Sequence, residues 1–245
     1  VSVHHPDGTS VGDAALDVEA TDAGVAALAA ERGAAGDWYG LARARQRQAG
    51  IARTVGDLDA AEKHLRAALS LYVTLDDRYD AGRVIAELAE ISLAAGDYFA
   101  AAELASRAAE RIPGDTAALT VLGYGEWLAG STADAEVTFG RALYWDADAA
   151  AALAGRGQVR ADLGDYAAAL DDLDQALKHE LDRGTEADVR SARALALAAL
   201  GRAVDALDDL AESRRLDPER SRTQQRADHI AALTASRTGE SAVRS

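Results

Sequence analysis

The sequence predicts an all-α solenoid of antiparallel helix pairs closed at each end by a single helix. Three observations carry this. Sixty of the 245 residues are alanine, set among Leu, Glu and Arg, which is a helix-forming mixture. Aromatic residues make up only 5% of the chain, too few for a sheet protein. Finally, a glycine followed by a fixed pattern of small and apolar residues recurs along most of the length.

The recurring pattern sets the elements in order. Residues 1–21 are read as a flexible segment and residues 22–236 as the solenoid. The opening helix is expected over 22–32, the repeats over about 38–218, a closing helix over 219–236 and a tail over 237–245. Gly56 precedes Ala61, Leu65 and Ala68, and Gly96 precedes Ala101, Ala105 and Ala108. Gly130, Gly164 and Gly201 repeat the same offsets of 5, 9 and 12, and successive glycines lie 40, 34, 34 and 37 residues apart. Each glycine is expected to end one helix in the left-handed conformation. Asp57, Asp97 and Asp165 follow at once and suit the N-cap of the next helix. Pro113 and Pro218 fall where second helices should stop. Thr185 and Asp188 have the spacing of a capping pair for the last repeat. In the closing helix Ile230 and Leu233 are expected to face inward, leaving an Arg-rich face in solvent.

These units resemble tetratricopeptide repeats (TPR), about five in number and of bacterial type. The clearest is 150–175, where Gly157, Gly164, Tyr166, Ala169 and Leu173 fall at signature positions; Leu122, Gly123, Gly130, Ala135 and Phe139 match in another unit. The long first spacing, which carries LYVTLDDRYDAG as an insertion, resembles the longer-helix repeats of bacterial regulators. The resemblance implies a right-handed superhelix whose first helices line a concave, peptide-accepting groove. Carried onto this sequence, the groove positions are Arg43, Gln46, Arg47 and Arg53, then Arg83, Glu87 and Glu90, then Thr120, Tyr124 and Trp127, then Gln158 and Asp162. Tyr124 and Trp127 share one helix face and are expected to be exposed binding anchors. The alternative is that Trp127 packs between repeats. Arg43, Arg45, Arg47 and Arg53 form an arginine-rich helix that either accepts acidic ligand groups or pairs with the opening helix.

Charge and chemistry narrow the function. The net charge is −15, and residues 214–245 are basic, with seven Arg against four acids, so the body is more acidic still. Such a body repels phosphate backbones, which argues against nucleic-acid binding. No cysteine is present, so disulfides, thiolate metal sites and cysteine catalysis are excluded. No apolar run is long enough to insert in a bilayer. The chain begins with Val rather than Met, which points to removal of an upstream segment or initiator residue. A cytoplasmic setting is favoured, and a secreted mature form stays open. No catalytic constellation, cofactor site or metal site is read. His4 and His5 are adjacent but lack further ligands, and His64, His179 and His229 are expected at the surface. The Gly123-Tyr-Gly125 and Gly155-Arg-Gly157 motifs fall inside helices, where packing rather than phosphate binding explains them.

The expected function is therefore a non-catalytic scaffold that binds a protein or peptide partner in the concave groove, acidic segments above all. The other reading is a sensor or regulatory module of a larger bacterial regulator. Partner identity and oligomeric state are not legible.

Overall fold

The computed structural model describes residues 22–243 and is all-α. Residues 1–21, including His4 and His5, and residues 244 and 245 lie outside the described residues. The chain divides into two compact units that meet between Pro113 and Gly114.

The first unit holds α1 (Asp22–Ala34), α2 (Trp38–Thr54), α3 (Leu58–Thr74), α4 (Arg78–Ala94) and α5 (Tyr98–Arg111). Helices α2 to α5 begin at Trp38, Leu58, Arg78 and Tyr98, so one helix and its turn recur every twenty residues. The LYVTLDDRYDAG segment is consequently not an insertion. It ends α3, makes an ordinary turn and starts α4.

The turns explain the regularity. Asp37, Asp57, Asp77 and Asp97 each accept a hydrogen bond from the backbone N–H three residues on, which satisfies a donor the helix start leaves unpaired. The residue before each of these aspartates has positive φ: Gly36, Gly56 and Gly96 at 70°, 79° and 83°, but Asp76 at 53°. At that third turn a side chain tolerates what glycine does freely. The core is one seam in which Leu65, Tyr72, Val84, Leu88 and Ile91 pack among fully buried alanines. α1 joins through Val25 and Ala29, which pack on Ala44 of α2.

The second unit holds α6 (Thr116–Leu128), α7 (Thr132–Trp145), α8 (Ala150–Leu163), α9 (Tyr166–Ala176), α10 (Arg183–Ala199), α11 (Ala203–Leu216) and α12 (Ser221–Val243). Gly130, Gly164 and Gly201 again take positive φ after first helices, as the repeat predicts. Phe139 is fully buried, and a Cβ on Gly123 or Gly155 would fall within 2.8 Å or 2.3 Å of its ring. These two glycines therefore let α6 and α8 close on an aromatic side chain. The cap of α10 differs from expectation. Asp182, not Thr185, is the N-cap and accepts from the Gly184 and Thr185 N–H groups. Asp188 is buried and ion-paired instead.

Two buried clamps repeat along this unit. Arg156 Nε and Nη2 each lie 2.7 Å from the Asp172 carboxylate, and Arg193 holds Asp209 in the same bidentate way at 2.6 and 2.7 Å. Both aspartates are buried, and each sits eight residues after its repeat glycine.

Candidate functional site

The expected groove residues fall into two settings, one in each unit.

In the first unit, α1, α2 and α4 border an open cleft of about 840 Å³. A polar relay crosses its floor. The Tyr72 hydroxyl donates to Gln46 Oε1 at 2.8 Å, and Gln46 Nε2 donates to Glu87 Oε1 at 2.8 Å. Burial pushes the Tyr72 hydroxyl up to about 12 and raises the Glu87 carboxyl above the usual carboxylate range. At the rim, Tyr39 donates to Asp80 at 2.6 Å and meets Tyr72 edge-on, with ring centroids 5.6 Å apart.

The arginines are not equivalent. Arg53 is tied to Glu90 at 2.7 Å, and Arg45 donates to Gln48. Arg43 and Arg83 are exposed, line the cleft and form no hydrogen bond or ion pair among the described residues. Arg47 also lines it and is already engaged in an interaction. The structure thus brings Arg43, Gln46, Arg47, Arg83 and Glu87 to one cleft and assigns Arg53 and Glu90 to an ion pair beside it. The sequence reading missed Tyr39, Tyr72 and Asp80. The aromatic scarcity of the chain was the signal that could have flagged the two tyrosines.

In the second unit Thr120, Trp127 and Gln158 are buried, Tyr124 is half-buried and Asp162 is exposed. Trp127 is only 8% exposed, so it is not the exposed anchor its position suggested. Its indole N–H donates to Asp162 Oδ2 at 3.0 Å, and the Arg222 guanidinium lies 4.0 Å from its ring centroid. It packs instead between the third and fourth repeats, bonded to Asp162 of α8, with Arg222 of α12 over its ring. Tyr124 is half-buried, donates to the Ala151 carbonyl and packs edge-on against Phe139. Burial raises its hydroxyl well above the ordinary value. Thr120 is buried and bonds back to the Thr116 carbonyl.

The largest departure is at α12. Ile230 is buried and Leu233 packs against the same cluster, as expected. Arg222 and Arg226, however, are not a solvated face: the first is half-buried and the second buried. Arg226 is 6% exposed and donates to the Asp188 carbonyl and Ser191 Oγ, both at 2.9 Å. Gln158 Oε1 lies 3.4 Å from it and the Asp162 carboxylate 3.6 Å. Desolvation lowers the affinity of Arg226 for its proton. Arg220 clamps Asp188 at 2.6 and 3.0 Å. Hydropathy alone cannot show such burial, because arginine reads as surface until its partners are placed.

Among the described residues no group of three or more His, Asp or Glu is placed to hold a metal, and no helix is long and apolar enough to cross a membrane. His179 and His229 are exposed, while His64 is half-buried and makes an interaction.

No protein-family profile matches the chain, and no curated protein sequence matches it. Solved structures do. A chain of the APC/C hetero-tetramer Cut9–Hcn1 aligns over 77% of this chain with a TM-score of 0.64 and 21% identity. PilF of Pseudomonas aeruginosa aligns over 89% of this chain and 98% of its own, with a TM-score of 0.62 and 15% identity. YrrB, a TPR protein with an unusual peptide-binding site, aligns over 76% of this chain and 91% of its own, with a TM-score of 0.52 and 17% identity.

The fold is a tetratricopeptide-repeat array. The TPR hairpins are α2–α3, α4–α5, α6–α7, α8–α9 and α10–α11, flanked by α1 and α12. The chain spans 36% of the length of the aligned Cut9–Hcn1 chain.

Proposed function

We propose that this TPR chain is a non-catalytic protein- or peptide-binding module and that the cleft of α1, α2 and α4 receives acidic groups of its partner. The observation that carries this is the pair Arg43 and Arg83, two exposed guanidinium groups that line a cleft and form no hydrogen bond or ion pair among the described residues. Arginine holds a carboxylate through two parallel hydrogen bonds, so an acidic side chain is the ligand these groups fit best. Tyr39 adds a 44% exposed aromatic surface beside them, the kind of side chain that anchors interfaces. The Glu87 carboxylate, held by Gln46, would reject an acidic group placed deeper and so set the register of the ligand at the rim. The structural likeness to YrrB, whose name records a peptide-binding site, is in keeping with this use of the fold.

The test is selection of random peptides on the full-length chain. Selected peptides should be rich in Asp and Glu, and Arg43→Glu with Arg83→Glu should weaken them by roughly tenfold or more. Selection of neutral peptides, or binding unchanged by the double substitution, contradicts the proposal.

A further inference from the structure

Helix α12 breaks a packing rule that the other repeats obey. α4, α8 and α10 each pack most closely on the second helix of their own hairpin and, among the helices that precede them, on the second helix of the hairpin before. α12 instead lies mainly on α10 and only lightly on α11. It therefore reaches Trp127 of α6, Gln158 and Asp162 of α8, and Asp188 and Ser191 of α10. The helix itself packs on α10 and α11, and it is the Arg222 and Arg226 side chains that extend to α6 and α8.

We propose that this face is a docking site for a partner helix carrying two arginines four residues apart, and that α12 is its intramolecular occupant. Two subsites define that chemistry. Arg222 and Arg226 stand one turn apart, and residues at this spacing share a helix face. The first guanidinium stacks on the Trp127 ring, whose electron-rich face attracts a cation. The second enters a pocket that offers acceptors, namely the Asp188 carbonyl, Ser191 Oγ and Gln158 Oε1, with the Asp162 carboxylate beside them. Guanidinium has five donors and no acceptor, which such a pocket matches.

The seat is built for exchange rather than permanence. Ala227, Ile230 and Leu233 supply its apolar contacts, and the rest of α12 between 221 and 229 is mostly polar. Burying Arg226 costs desolvation that its partners, the nearby Asp162 and Asp188 carboxylates included, only partly offset. The start of α12 is pinned by Arg220 on Asp188 and by the Ser213 and Thr223 hydroxyls at 2.9 Å, so the helix stays tethered when its arginines leave. Tethering gives it an effective concentration on the order of millimolar, enough to exclude a weak competitor.

The test uses full-length chains and a fluorescent peptide of residues 219–236. In the Arg222→Glu, Arg226→Glu chain the two acids face Asp162 and Asp188, and hydrogen exchange of α12 should rise. That chain should then bind the peptide one to one, whereas the unaltered chain binds it roughly tenfold or more weakly. A peptide with alanine at both arginines should not bind, and Arg43→Glu should leave binding unchanged, which separates this site from the α2–α4 cleft. Gln224→Pro provides a second release that keeps every groove residue. The proposal is overturned by a released chain that ignores the peptide or accepts the alanine version equally. It is equally overturned by released chains that dimerise, which makes a second copy the occupant. Loss of folding in both variants would show α12 to be fixed core and also reject it.

Discussion

Residues 22–113 and residues 114–243 use one repeat logic to opposite ends. In the first unit the turns recur every twenty residues, the buried seam is almost wholly apolar, and charged groups stay at an open cleft. In the second, charges enter the interior as Arg–Asp clamps, and arginines of α12 reach the equivalent face. The repeat fixes hairpin geometry, while the side chains on first helices decide whether that face stays open, as at Arg43 and Arg83, or takes up α12 arginines, as at Trp127 and Asp188.

The strongest way to break this comparison is to remove a clamp. Asp172→Ala strands Arg156 and leaves Arg160 with Glu136 alone, and loss of one partner of a buried pair costs about 3–5 kcal/mol. Chemical denaturation should show that loss, with hydrogen exchange raised over residues 150–176 and unchanged over 38–94. An equal rise in both units would erase the distinction drawn between them.

A smaller effect sharpens the first unit. Asp76 occupies the turn position that Gly56 and Gly96 hold in neighbouring turns. Asp76→Gly should gain about 0.5 kcal/mol and Asp76→Ala should lose about 1 kcal/mol, since alanine pays the left-handed cost without the local hydrogen bonding Asp can offer. Thermal melts of the two variants check the ordering.

The second unit has a pH signature. Glu126 Oε2 is buried with no hydrogen bond among the described residues, and burial raises its carboxyl above the usual carboxylate range, partly offset by a hydrogen bond with Thr138. An acid whose folded pKa exceeds its unfolded value binds its proton more tightly when folded. Its destabilising contribution is therefore absent below the unfolded carboxyl's pKa, grows as pH rises from there toward the raised folded pKa, and is constant above it. Glu126→Gln should stabilise the chain by about 1 kcal/mol at pH 7, with the gain shrinking toward pH 4. A gain that stays constant with pH would remove ionisation as the cause.

Much of the fold was legible because its signals are local. Gly56, Gly96, Gly130, Gly164 and Gly201 mark turns through backbone sterics, and Asp57, Asp97 and Asp165 mark caps through one side-chain hydrogen bond. The site was legible only where residues keep their sequence-level character. Arg43 and Arg83 are exposed cations as they read. Trp127 and Arg226 are not what they read, because a helix 94 residues or more beyond Trp127 supplies the cover. The Asp172 and Asp209 clamps did leave a trace, an aspartate eight residues after the glycine in consecutive repeats, with an arginine eight before it.

Collisional quenching of Trp127 reports whether α12, through Arg222, shields this ring from solvent. Trp38 and Trp145 are 51% and 58% exposed, so replacing both with Phe leaves one buried reporter. In that background acrylamide should quench weakly, and Arg222→Glu with Arg226→Glu should increase quenching severalfold while the far-UV helical signal holds. Strong quenching before the arginines are changed, or none after, would contradict the account.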